Sequence, residues 1–206
     1  MKRKYLIIVL CLACIHLAFS GPAHHLVRFV YDGDTILVEG GERVRYLGID
    51  APEMGRDGAI HEFMAVASRE ANHRLVAEKR VRLVFDPEIR DRFGRLLAYV
   101  FLENGEMVNA LLVRNGFAHV MVKSPNLRYL PLLLEEQRGA MAKRLGIWSG
   151  EPLDREAYYV GNKNAYRFHR PGCPFGMKTA RRNRVRFETR FQAFWEGFSP
   201  CRRCKP

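Results

Sequence analysis

Along the first three-quarters of the chain the apolar positions alternate between a period of two, as in half-buried strands, and a period of three to four, as in helices. His25–Tyr31 is rich in β-branched and aromatic residues, and Ile36–Val38 and Val44–Ile49 read as two further strands. Between them Gly40-Gly41 signals a tight hairpin, since such turns need positive φ. Met64, Ala67, Ala71 and Leu75 recur at helical spacing and predict an amphipathic helix over 62–78 with those residues in the core. Val81–Phe85 alternates as a strand, Asp86–Phe93 is a charged loop, and Arg95–Leu102 is the next strand. Residues 106–115 predict a short helix capped by Gly116. Residues 126–145 predict a longer one, with Leu127, Leu130, Leu134 and Met141 on one face and Gly146 at its end. Five short strands with helices between and after them suit a small closed barrel of the OB type, an α+β arrangement.

This pattern also places chemistry. Asp34 lies at the start of one hairpin strand and Asp50 at the end of the other, so an antiparallel ribbon puts both carboxylates at one end. Such a pair forms a pocket for a hard, oxygen-loving cation such as calcium. Asp50-Ala51-Pro52-Glu53 follows as a turn, and the fixed φ of proline holds Glu53 close to the aspartates as a candidate general base. Arg45 on the second strand and Arg95 at the entry to a later one are candidate phosphate ligands, because a guanidinium fork makes paired hydrogen bonds to phosphate oxygens. Singly, each residue has a plainer reading as a turn aspartate, a solvated loop acid or a strand-edge charge.

Taken together they carry a resemblance. Asp32-Gly33-Asp34-Thr35, then Arg45 through Asp50-Ala51-Pro52-Glu53, then Asp91-Arg92-Phe93-Gly94-Arg95 reproduce in order three motif blocks, and His25–Trp148 resembles the thermonuclease (staphylococcal nuclease-like) family. The resemblance implies the same OB-fold barrel and a calcium-dependent endonuclease that hydrolyses DNA and also RNA to 3′-phosphate products. It implies calcium held by Asp34, Asp50 and the backbone carbonyl of Ala51, with Arg45, Glu53 and Arg95 catalytic. The match departs at Phe93 and near Met121 and Val122, where the family has tyrosines that contact a nucleotide phosphate. Substrate affinity and end preference are expected to differ accordingly. The alternative is a non-catalytic OB-fold nucleic-acid-binding protein, which would have little use for an acidic pocket facing a polyanion.

Charge divides the chain. Of a formal net +12 over 206 residues, residues 21–150 contribute eighteen Lys/Arg against seventeen Asp/Glu, and residues 151–206 thirteen against five. The positive field, and with it the pull on a polyanion, belongs to the C-terminal part. Pro152 and the charges around Asp154–Glu156 mark a linker over 150–157, dividing a domain at 25–149 from a second unit at 158–206. In that unit His169 and Cys173 are four apart, and Cys201-Arg202-Arg203-Cys204 forms a C-x-x-C pair. Removal of a leader containing Cys11 and Cys14 leaves three cysteines. That odd number favours zinc with a fourth, non-cysteine ligand over a disulfide framework, although a Cys201–Cys204 disulfide stays open.

Residues 159–206 resemble the small zinc-binding module of the Ada DNA-alkylation-repair family. His169 stands where that module has its methyl-accepting cysteine, so a zinc-held fold and nucleic-acid binding are implied but methyl transfer is not. Phe187, Phe191, Phe194 and Trp195 are the expected core of this unit, which would anchor the near-neutral barrel to DNA. Arg181, Arg182, Arg184 and Arg186 read either as part of that surface or as a solvated face.

Met1–Ser20 combines Lys2-Arg3-Lys4, an apolar run and Ala18-Phe19-Ser20 before Gly21, the pattern of a secretory signal peptide, with an uncleaved anchor as the alternative. An exported, periplasmic or secreted monomer without membrane contact after cleavage is expected.

Overall fold

The computed structural model describes residues 23–55, 58–150 and 155–206; the expected leader and half of the expected linker lie outside the described residues. Strands β1 (His24–Val30), β2 (Thr35–Val38) and β3 (Arg43–Tyr46) form a meander, with β2 and β3 joined through Gly40-Gly41. A short strand β4 (Ile49–Asp50), helix α1 (Ala65–Val76), strands β5 (Arg80–Val84) and β6 (Leu96–Leu102), helix α2 (Val108–Arg114), strand β7 (His119–Val120) and helix α3 (Leu130–Ala142) follow. The barrel closes in the order β1-β2-β3-β6-β5, with β3 and β6 parallel and the other pairs antiparallel. Closure leaves no free edge. Alternating inward residues such as Val27, Ile36, Val44, Val81 and Val100 fill the interior, and α2 contributes Leu112 and Val113.

Three sequence expectations are corrected. Val44–Ile49 is not one strand: Gly48, at φ +76, ends β3, and β4 turns away to pair with β7 through Ile49↔Val120 and Asp50↔His119. Asp50 therefore belongs to a separate two-stranded sheet, not to the hairpin. In α1 the buried stripe is Ala65, Ser68, Ala71, Asn72 and Val76, one position round from the stripe the apolar spacing gave, because two polar side chains in it find internal partners. In α3 it is Leu133, Gln137, Ala140 and Met141, and Leu127 precedes the helix and is exposed.

The C-terminal unit is built from β8 (Tyr159–Asn162), β9 (Arg167–His169), helix α4 (Pro174–Met177), β10 (Arg184–Phe187), helix α5 (Arg190–Trp195) and β11 (Ser199–Pro200), with sheet order β10-β8-β9-β11. Tyr159, Phe168, Phe187, Phe194 and Phe198 make its core, whereas Phe191 is exposed and Trp195 only partly buried. Met141 of α3 and Trp148 pack into the same cluster, so this unit shares its interior with the barrel's last helix. Gln137, fully buried, clasps the two parts: its Oε1 accepts from the Val120 N–H and its Nε2 donates to the Phe194 carbonyl, both at 2.6 Å. Arg138 donates to the Trp195 carbonyl (3.0 Å), and Arg167 reaches the Met121 sulfur (3.2 Å).

Candidate active site and metal centres

The acidic pocket is assembled around Arg45. In β3 it faces Thr35 of β2, and its guanidinium is buried against the loop that leads into β4. One terminal nitrogen donates to the carbonyls of Tyr46 (3.0 Å) and Ile49 (2.9 Å). The other lies 2.6 Å from Asp50 Oδ1 and 3.0 Å from Asp34 Oδ2. Both carboxylates thus converge on one nitrogen.

Asp34 is held from several sides. Its Oδ2 accepts the Ala51 N–H (2.7 Å), its Oδ1 the Thr35 hydroxyl (3.1 Å), and its own N–H donates to Asp32 Oδ1 (2.9 Å). Gly33 lets this turn press on Ala51 and α1, since a Cβ there would lie 2.6 Å from the Ala51 Cβ and 2.9 Å from that of Ser68. Asn72 fixes the turn from behind, donating to the Asp32 carbonyl and accepting from the Tyr46 hydroxyl, both at 2.9 Å.

Electrostatics splits the pair. Burial pushes Asp34 well above the usual carboxylate range, against the pull of Arg45, and Asp32 and Asp50 add to the rise. Burial also raises Asp50, but Arg45, His119, Arg202 and Arg167 outweigh it and hold Asp50 below its ordinary value. Arg45 stays charged because Asp34 and Asp50 offset its own desolvation. Two buried acids that share one internal guanidinium, with the Ala51 carbonyl in the same turn, form an all-oxygen donor set. This fits a hard divalent cation.

Glu53 sits on the exposed rim, where its backbone N–H donates to Glu62 Oε2 (3.0 Å) and its carbonyl accepts from the Glu62 N–H (3.1 Å). Arg95 is not in the pocket. Arg45 pairs with Leu97 across the β3–β6 register, and Arg95 lies two residues before Leu97, in the loop that leads into β6. Its guanidinium engages Asp91 of its own loop at 2.7–2.8 Å and lies over Phe93.

Two site residues escaped the sequence reading. His119, partly buried, is brought by the β4–β7 pairing to 3.9 Å from Asp50 Oδ2, and its desolvation lowers its basicity. Arg202, from the C-x-x-C turn, reaches across from the other unit to lie 2.7 Å from Asp50 Oδ1 and 3.4 Å from Glu53 Oε1. Nothing in the spacing of an arginine 152 residues away from Asp50 indicates that contact.

The second cluster brings together His169 at the end of β9, Cys173 at the start of α4, and Cys201 and Cys204 flanking the turn after β11. Their ligand atoms all lie within 4.8 Å of one another. Tetrahedral zinc with Zn–S near 2.3 Å sets its ligands about 3.5–3.8 Å apart, and Cys173 Sγ and His169 Nδ1 are at 3.5 Å. All three cysteines are free thiols. Burial alone would raise the Cys173 thiol, but N–H groups of Gly176 and Phe175 at the opening of α4 hold it below its ordinary value. Burial pushes Cys204 up to about 12.

Comparison with known proteins agrees with both halves. Residues 43–150 match the family described as staphylococcal nuclease homologue, and residues 150–206 match the metal binding domain of Ada. The thermonuclease of Staphylococcus intermedius is 37% identical over 127 residues, covering 60% of this chain and 75% of the relative. The chain belongs to the staphylococcal nuclease homologue family. Within that family it is also similar to the thermonuclease of Staphylococcus hyicus, 32% identical over 58% of this chain and 72% of the relative. An uncharacterized endonuclease of Escherichia coli is 35% identical over 71% of this chain and 90% of the relative. Membership of the staphylococcal nuclease homologues sets the enzyme class, a nuclease-type hydrolase, and the closed five-stranded barrel is the OB fold expected of it. Asp34 precedes the matched span, so its place in the pocket rests on the contacts with Arg45 and Ala51.

Proposed function

We propose that this protein is an exported, calcium-dependent endonuclease that hydrolyses phosphodiester bonds in DNA and also in RNA. The observation that carries the reading is the convergence of Asp34 and Asp50 on one nitrogen of Arg45, with Glu53 on the rim above. Asp34, Asp50 and the Ala51 carbonyl would hold calcium, which when bound supplies positive charge to a phosphoryl oxygen. Glu53, solvent-exposed beside that pocket, takes the proton from the attacking water. Arg45 fixes both acids and adds permanent charge beneath the phosphate, while Arg95, exchanging Asp91 for a phosphate oxygen, supplies the second guanidinium. Three acids at a barrel mouth repel a polyanion unless a cation is recruited, which favours catalysis over simple binding.

His169, Cys173, Cys201 and Cys204 would hold a structural zinc, four ligands leaving no open position for chemistry. The arginine-rich unit they organise would strengthen the grip on nucleic acid. Export is supported by the leader-like Met1–Ser20 and would leave Gly21 at the mature N-terminus, readable by mass spectrometry of protein recovered outside the cytoplasm.

The activity is tested by release of acid-soluble nucleotides from DNA and RNA. Excess chelator specific for calcium should abolish it and added calcium restore it. Undiminished turnover in chelator would overturn the metal assignment.

A further inference from the structure

Between the barrel and the C-terminal unit runs a cleft of about 830 Å³ that begins at the acidic pocket. It is lined from the barrel part by Asp50, Glu53, Glu62 and Arg144 and from the C-terminal unit by Arg170, Arg202 and Lys205, with the exposed rings of Phe63 and Phe191 also in its lining. Such a surface, catalytic acids at one end and cations with aromatic faces beyond, matches a chain of phosphates bearing unpaired bases.

We propose that this cleft is a binding subsite for single-stranded nucleic acid on one side of the scissile phosphate, with Arg202 contributing a phosphate contact from the zinc-cluster turn. The inference rests on the nuclease reading of the acidic pocket and extends it to a residue and a surface that the barrel alone does not contain. Arg202 is well placed for the task. It follows Cys201, whose N–H donates to the Phe168 carbonyl and whose carbonyl accepts from the Lys205 N–H, both at 2.9 Å, so the turn beneath it is fixed. Its side chain is nevertheless 61% exposed and rests only on the acids of the pocket. When a phosphate enters, the guanidinium can exchange a carboxylate oxygen for a phosphate oxygen within the same cleft. Arg170, tied to the Lys205 carbonyl (3.0 Å), and Lys205, 3.6 Å from Glu62, continue the line of cations. The rings supply stacking platforms, which reward bases only where they are unpaired.

The test measures binding without turnover. In Glu53→Gln protein with calcium present, fluorescence anisotropy follows a labelled single-stranded oligonucleotide over a range of salt. Arg202→Ala is expected to weaken binding about tenfold and to flatten the log–log salt dependence by about 0.7, the loss of one single-strand phosphate contact. Arg74→Ala removes the same charge from the exposed side of α1, outside the cleft, and is expected to leave both quantities unchanged. Phe191→Ala should weaken single-strand binding without changing the slope.

Unchanged affinity and slope in Arg202→Ala, an equal loss in Arg74→Ala, or a blunt duplex bound as tightly as the single strand would overturn the proposal. So would faster cleavage by Arg202→Ala in the otherwise wild-type enzyme, since Arg202 would then be a plug in the pocket. A wild-type protein that binds the strand in the cleft but never cuts it would instead overturn the nuclease reading.

Discussion

Replacing Gln137 should uncouple the two halves of the molecule. Its amide is wholly buried and makes both its bonds to backbone groups, the Val120 N–H on one side and the Phe194 carbonyl on the other. Gln137→Leu keeps roughly the volume but strands the buried Val120 N–H, at about 1–3 kcal/mol, and takes from the Phe194 carbonyl one of its two donors, worth about 0.5–1.5 kcal/mol, since the Gly197 N–H still reaches it at 2.8 Å. The sum, about 1.5–4.5 kcal/mol, is a large fraction of the stability of a typical domain. With an m-value of about 2 kcal/mol/M, the urea midpoint should fall by about 0.8–2.2 M, and tryptophan fluorescence from Trp148 and Trp195 should lose its transition before the barrel's far-UV signal does. Gln137→Glu adds a check of sign. A carboxylate can accept from Val120 but cannot donate to Phe194, whereas the protonated acid does both, so the folded state should raise the pKa of this glutamic acid. Stability would then be retained at low pH and lost as pH rises above the ordinary glutamate range, by up to about 1.4 kcal/mol per unit until the folded pKa is passed. A midpoint for Gln137→Leu within about 0.2 M of wild type, or a Gln137→Glu penalty that does not grow with pH, would refute the reasoning.

Glu53→Gln should lower turnover on the order of 10²- to 10³-fold with little change in melting temperature, because the side chain is half exposed; a wild-type rate would remove it from the mechanism. Arg45→Ala should cost as much turnover and also about 3–5 kcal/mol of stability, since it strands two buried acids; an unchanged denaturation midpoint would contradict the pocket described. Cys201→Ser with Cys204→Ser should abolish zinc in elemental analysis and unfold the C-terminal sheet by near-UV circular dichroism, and zinc-free wild-type protein of native spectrum would refute the cluster's structural role. Truncation after Gly150 should bare Met141 and Trp148 and destabilise the barrel, read as a lower midpoint and increased dye binding; a truncated protein as stable as the whole would mean the shared core contributes nothing.

The barrel was legible because alternating runs such as Val81–Phe85 and glycine turns carry their geometry locally. The pocket was legible because Asp34, Arg45, Asp50 and Glu53 lie within one short stretch. What escaped depends on contacts between distant segments. The placement of Asp50 opposite His119 follows from a two-residue strand pairing, too short to leave a periodic trace. Ser68, Asn72 and Gln137 are buried polar residues, and a reading that equates apolar with buried shifts the faces of α1 and α3 off them. Arg202 sits in a motif recognisable for its cysteines, and only the docking of α5 on α3 decides that the intervening arginine meets Asp50. The division at a linker over 150–157 likewise gave no sign that Phe194 and Met141 share one interior.

The open four-stranded sheet has two edges, and both are poor templates for another chain. On one side β11 is only two residues long and one of them is Pro200, which has no N–H to offer, while the Pro200 carbonyl is already taken by Arg167. On the other, β10 alternates Val185 and Phe187 toward the core with Arg184 and Arg186 toward solvent. A second molecule adding its own β10 there would bring like charges side by side. The arginines that invite a reading as a nucleic-acid surface thus act against self-association. Threonine at both positions would preserve the strand yet remove the repulsion that keeps this edge from templating another chain.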